Sequence, residues 1–81
     1  MSTAPRGGDH PTTYAELAAV ITNLPMLVRE RRRQERLSQR RAAERIGISF
    51  ATVSRLETGV PSDGTTLAAV LRWLDTPTES R

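Results

Sequence analysis

The segment 38–59, SQRRAAERIGISFATVSRLETG, limits what this chain can fold into through the spacing of its capping and small residues. Ser38 and Ser49 suit helix N-caps, and Gly47 suits a helix end, where glycine adopts a positive φ at little cost. The segment therefore predicts two short helices joined by a tight turn. Ala43 is small enough for the second helix to cross close to the first.

Apolar residues at helical spacing predict how this pair of helices packs. Ala42 and Ile46 would point inward from the first helix, and Val53 and Leu56 from the second. Leu37, just before the first helix of the pair, would cover one side of the core. We expect these residues to set the angle between the two helices.

Helix signals also surround the pair. Thr13 to Glu16 fits a capping box, which predicts a helix over 13–23. Asn23 is expected to cap a second helix over 24–36, with Pro25 tolerated in its first turn. A last helix is predicted from about Thr65 to Leu74. The expected core residues of these three helices are Tyr14, Leu17, Ala18, Ile21, Leu24, Leu27, Val28, Leu67, Val70, Leu71 and Leu74.

No strand pattern occurs, so the predicted fold is all-α with four to five helices. We expect a disordered arm at 1–11, one helical domain over 12–75 with the helix pair at 38–58, and a disordered tail at 76–81. With 81 residues and no cysteine, helix packing must stabilise the domain without disulfides or thiolate metal sites.

Other function classes lack support in the sequence. No stretch approaches the ~18 apolar residues of a membrane span, and Met1 to His10 has no apolar signal-peptide segment, so we expect a cytoplasmic protein. His10 has no second ligand nearby, and no metal, cofactor or small-molecule ligand is expected. No catalytic pairing of Cys, His or carboxylates occurs, and 59–64 is a turn-rich connection, so we expect no enzyme.

Positive charge is concentrated around the helix pair. From Arg29 to Arg55 there are nine arginines and three glutamates, a net charge of +6, whereas the rest of the chain carries −3. Arginine forms bidentate hydrogen bonds with phosphate and guanine, and a helix pair of this kind presents its second helix to a DNA major groove. We therefore predict binding to double-stranded DNA.

Residues 24–74 resemble the phage repressor and Cro type of helix-turn-helix domain, the XRE family. The matching signature is LSQ at 37–39, AAERIGIS at 42–49 and VSRLETG at 53–59. The resemblance implies a lambda-repressor-like fold to which the helix at 13–23 is an extra N-terminal element. It also implies base contacts from Ser49, Phe50, Ala51, Ser54 and Arg55, phosphate contacts from Ser38, Gln39 and Thr58, and an ion pair between Arg32 and Glu57. Arg40 and Arg41 are expected to contact phosphate as well, because they lie near Gln39.

Several of these roles have alternatives. Arg55 is expected to donate to a guanine O6/N7 edge. Phe50 could contact a thymine methyl group or pack inside the domain, and Arg40 could contact phosphate or pair with Glu44. Arg29, Arg33 and Arg36 are further phosphate candidates, and Arg45 is expected on the solvent side. Arg6 in the arm could enter a minor groove.

The sequence departs from the family pattern in three places. Arg36 stands where the family usually has a glycine that ends the first helix. The usual fifth helix is missing, since only TPTESR follows Asp75. The helix at 13–23 could cover the core in its place or face a partner. Trp73, expected to be exposed, could form a dimer contact or lie against Tyr14.

The resulting hypothesis is a sequence-specific transcriptional repressor that binds a palindromic operator as a homodimer. Half-sites would lie about 34 Å apart, one turn of DNA. The alternatives are an antitoxin that represses its own operon and binds a toxin, a protein-interaction module, or an excision factor with the same fold.

Overall fold

Five helices account for most of residues 13–77, the part of the chain that the computed structural model describes. No strand occurs among these residues, so the predicted all-α fold, a lambda-repressor-like domain with an extra N-terminal helix, is confirmed. The predicted arm and all but two residues of the predicted tail, with Arg6 and His10, lie outside them. The helices are α1 (Tyr14–Thr22), α2 (Leu24–Gln34), α3 (Gln39–Ile46), α4 (Phe50–Glu57) and α5 (Gly64–Asp75).

Caps at the first two helices show one prediction confirmed and one wrong. The Thr13 hydroxyl accepts a hydrogen bond from the Glu16 backbone N–H at 3.0 Å, and the Glu16 carboxylate accepts from the Thr13 N–H at 3.1 Å, a complete capping box. Asn23, by contrast, makes no side-chain bond to α2. Its amide donates to the Ala19 carbonyl at the end of α1 at 3.0 Å. Pro25, second in α2, has no N–H for such a cap to bind.

Helix α2 ends at Gln34, two residues before the expected limit, and Arg36 forms the turn that follows. Arg36 has a φ of 56°, the one non-glycine residue with positive φ in the described chain. The Leu37 N–H reaches back to the Arg32 carbonyl at 2.9 Å, as in a helix end closed by a left-handed residue. An arginine therefore adopts the conformation for which the family usually supplies a glycine.

The core is a small cluster contributed by three helices. Leu24 and Val28 of α2 pack with Leu56 of α4 and with Val70 and Trp73 of α5. Within the helix pair, Ala42, Ala43 and Val53 are also buried. Partly buried apolar residues that pack against the cluster are Leu37, Ile46, Ile48, Leu67, Leu71 and Leu74.

Trp73 is part of this core, so the expectation that it is exposed was wrong. Only 7% of its surface is accessible. The guanidinium of Arg31 lies 5.3 Å from its ring centroid and covers it. Tyr14 is 89% exposed and does not provide the alternative packing partner. A dimer contact through Trp73 therefore loses its basis.

Helix α1 contributes little to the core. It has no buried residue, and Leu17 and Ile21 are more than a third exposed. It lies against α2, where Ile21 and Thr22 border an apolar groove with Leu24 and Leu67. Its stripe of apolar side chains therefore remains open to solvent.

Replacing Arg36 with glycine should stabilise the fold. A left-handed residue with a side chain costs about 1–2 kcal/mol, and the greater freedom of glycine in the unfolded chain offsets part of that gain. We expect Arg36→Gly to raise the free energy of unfolding by about 0.5–1 kcal/mol, measured by urea unfolding.

The reverse change provides a matched control. Gly47 has a φ of 91°, and no neighbouring atom lies within 4 Å of the position that an added Cβ would occupy, so Gly47→Ala tests backbone strain alone. It should lower the free energy of unfolding by about 1 kcal/mol. An Arg36→Gly variant that is less stable than wild type would show that Arg36 makes a compensating contact.

Candidate nucleic-acid interface

The helix pair α3–α4 has the local geometry that the sequence predicts. The Ser38 hydroxyl accepts a hydrogen bond from the Arg41 N–H at 3.1 Å, and the Ser49 hydroxyl accepts from the Thr52 N–H at 3.1 Å. Gly47 ends α3 in the left-handed conformation. Both caps and the turn glycine are therefore confirmed, and they fix two helices of eight residues each.

Helix α4 presents most of the predicted base-contacting residues on its accessible side. Arg55 is exposed and Ser54 partly so. The Ser49 hydroxyl is engaged with Thr52, both at its backbone N–H and at its hydroxyl oxygen, 2.8 Å away. Within residues 13–77, neither the Arg55 guanidinium nor the Ser54 hydroxyl makes a hydrogen bond or ion pair.

Among the predicted phosphate-contacting residues, the side-chain amide of Gln39 and the hydroxyl of Thr58 are already bonded within the domain. Gln39 donates its side-chain amide to the Glu57 carboxylate at 3.0 Å. The Thr58 hydroxyl donates to the Arg55 carbonyl at 2.9 Å. Arg41 and Ser38 lie exposed at the beginning of α3.

The alternative pairing of Arg40 with Glu44 does not occur. Glu44 lies instead 3.9 Å from Arg41, in a loose and exposed ion pair. Arg40 turns toward α4, where its guanidinium carbon lies 4.6 Å from the centroid of the Phe50 ring. Phe50 remains 41% exposed, so it does not pack inside the domain.

A buried carboxylate attaches α4 to α2. Both oxygens of Glu57 accept from Arg32, one from Nε at 2.7 Å and the other from a terminal nitrogen at 3.0 Å. Arg29 donates to the Glu57 backbone carbonyl at 2.8 Å. Glu57 is 7% exposed and therefore has little access to any base. The pair that the resemblance implied is thus formed, with Gln39 and Arg29 as additional partners.

The pKa of Glu57 reflects a balance between burial and these partners. Burial alone raises the pKa of the carboxyl group. Hydrogen bonds from Arg32 and Gln39, with the charges of Arg32 and Arg29, lower it by more, so the pKa lies below its ordinary value. The hydrogen bond to Glu57 also raises the pKa of Arg32. The pair is therefore held in its ionised form.

A second arginine cluster, centred on Arg31, the residue that precedes Arg32 in α2, was not predicted. Arg31 is 7% exposed and bonds to Glu35 at 2.5 Å. It also donates to the carbonyls of Leu74 and Thr76 at the end of α5, at 3.0 and 2.8 Å. The sequence held a signal for it, because positions 24, 28, 31 and 35 lie on one face of a helix. Arg45 pairs with Glu35 at 3.1 Å rather than facing only solvent.

The arginines of residues 13–77 thus fall into two groups. Most are tied to carboxylates or carbonyls of the domain itself. Those without a hydrogen bond or ion pair among the described residues are Arg36, Arg40, Arg55 and Arg72. Two of the four lie on α3 and α4, on the helix pair.

Comparison with known proteins decides the family. The Helix-turn-helix family model HTH_3 matches residues 28–79, more than half of the chain. The chain belongs to this helix-turn-helix family. No curated protein and no solved structure shows a significant match.

The family match covers α3, α4 and α5 in full and the part of α2 from Val28 onward. The protein is accordingly a DNA-binding regulator of the XRE type, as its resemblance to phage repressors and Cro implied. Over residues 13–77, none of the helices combines the length and the apolar character needed to cross a membrane.

Removing the charge of Glu57 should destabilise the domain. Glu57→Gln leaves Arg32 without its counter-charge in a largely buried position, and we expect the free energy of unfolding at pH 7 to fall by about 3 kcal/mol. Because the folded-state pKa is lowered, this contribution is present above the unfolded-state pKa of about 4.3 and is lost as pH falls through the folded-state value. Urea unfolding of the wild-type protein and of Glu57→Gln, measured from pH 7 to pH 3, should show that the difference between their free energies of unfolding becomes smaller.

Glu44→Gln is the matched control. Its side chain is 71% exposed and its ion pair is long, so we expect a change below about 0.5 kcal/mol at either pH. Equal losses for the two variants would contradict the role assigned to Glu57.

Proposed function

We propose that this helix-turn-helix regulator is a repressor that binds a palindromic operator as a homodimer, with α4 in the major groove. The observation that carries the proposal is the exposed Arg55 guanidinium, without a polar partner in the described chain, on a helix held by a buried ion pair. A fixed helix that offers an unpaired bidentate donor can discriminate guanine by its O6/N7 edge.

The other residues on the accessible side of α4 would supplement Arg55. Ala51 offers apolar surface to a thymine methyl group, and Ser54 offers a hydroxyl. Ser49 would act mainly through its cap, since its hydroxyl is already bonded to Thr52. The choice of base would therefore depend chiefly on Arg55.

Phosphate contacts would set the position of α4 in the groove. Ser38 and Gln39 stand at the beginning of α3, where free backbone N–H groups and the helix dipole favour a phosphate. Arg40 and Arg41 add charge there, and Thr58 lies just beyond the end of α4. Such contacts contribute affinity for any sequence, whereas base contacts select one.

Binding of the protein to its operator would itself repress transcription. A domain bound across an operator excludes other proteins from the same DNA, and two copies related by two-fold symmetry would match a palindrome. The protein would act where its operator lies, on DNA in the cytoplasm.

A second candidate is an antitoxin that represses its own operon, and α1 favours it. Tyr14 is 89% exposed, and Leu17 and Ile21 extend the apolar stripe on the same helix face. Such a stripe suits a protein partner, either a second copy or a toxin. The symmetry of the bound DNA distinguishes these two partners, since pairing with a second copy of the chain requires paired half-sites.

Two substitutions should separate base selection from phosphate binding. Arg55→Ala should relax preference at one base position per half-site, with a loss of about 1–3 kcal/mol of discrimination there. Arg41→Ala should weaken all sequences about equally and reduce the salt dependence by about one phosphate contact per protomer. Binding titrations on a panel of single-base operator variants measure both effects. If the two variants give the same profile, α4 does not dock as proposed.

A further inference from the structure

Arg40 and Phe50 form a contact between the two helices of the motif. The guanidinium carbon of Arg40, second in α3, lies 4.6 Å from the ring centroid of Phe50, first in α4. This distance is within the range of a cation–π interaction. Both side chains are exposed, so the pair stands on the surface proposed to meet DNA.

The guanidinium of Arg40 keeps its hydrogen-bonding capacity in this contact. Arg40 makes no hydrogen bond or ion pair within residues 13–77, whereas its neighbour Arg41 is drawn to Glu44. An aromatic ring beneath a guanidinium covers one face of the plane, and the five N–H donors point outward along its edges. Arg40 therefore has its guanidinium N–H donors available for an acceptor such as a phosphate.

We propose that Phe50 is a positioning residue that holds Arg40 ready to bind a DNA phosphate at the edge of the half-site. This inference rests on the proposed function. It gives Phe50 a role in affinity rather than in the choice of base, because its ring would act through Arg40 instead of through a thymine methyl group.

The physical basis is preorganisation. A free arginine side chain loses considerable rotamer freedom when it binds a phosphate, and a ring that already restricts it reduces that loss. An exposed cation–π contact corresponds to roughly a 2- to 5-fold change in an equilibrium constant. Loss of the ring should therefore weaken DNA binding by about that factor.

A double-mutant cycle on the selected operator tests this role. Phe50→Leu removes the ring but keeps an apolar side chain, and we expect a roughly 2- to 5-fold rise in Kd without any change in base preference. Arg40→Ala should raise Kd more and lower the salt dependence by about one phosphate per protomer. In the Arg40→Ala background, Phe50→Leu should have almost no further effect.

Further variants sharpen the test. Phe50→Tyr keeps the ring face and should restore affinity, and Met26→Leu, a change at an exposed apolar residue on α2, is the matched control. Thermal unfolding shows whether each variant is folded. Equal effects of Phe50→Leu in both backgrounds, or altered preference at a thymine, would overturn the inference. Failure of the wild-type protein to select any sequence would instead contradict the proposed function.

Discussion

The bidentate ion pair between Arg32 and Glu57 is the interaction on which the rest of the interface depends. Glu57 is the last residue of α4, and Arg32 lies in α2, so the pair fixes α4, the helix proposed to enter the major groove, to the core. Arg32 also donates to the Leu37 carbonyl at 3.2 Å, and the side-chain amide of Gln39 donates to the Glu57 carboxylate. The start of α3 therefore belongs to the same hydrogen-bond network. A single buried carboxylate thus orients both helices of the motif.

The pairing of arginines explains how one residue type can serve both the fold and the DNA. Arg31 and Arg32 are neighbours in sequence, yet Arg31 closes the end of α5 and Arg32 holds α4. Arg40 and Arg55 keep their donors free on the helix pair. The positive charge seen in the sequence is therefore partly neutralised inside the domain, and fewer arginines remain for DNA than the net charge suggests.

The helix caps were predictable from the sequence, whereas most side-chain contacts between separate helices were not. The caps at Thr13, Ser38 and Ser49 depend on residues three positions apart, so the sequence specifies them directly. The Arg31 cluster and the contact between Arg40 and Phe50 depend on how separate helices meet. Trp73 was misjudged for the same reason, since Arg31 of another helix covers it.

Selection of bound molecules from a pool of random DNA duplexes would show whether α4 selects a DNA sequence as part of a symmetric dimer. We predict enrichment of a palindrome whose half-sites are about 10 base pairs apart, with a guanine in each half-site. Enrichment of no motif, together with affinity that vanishes near physiological salt, would contradict this prediction.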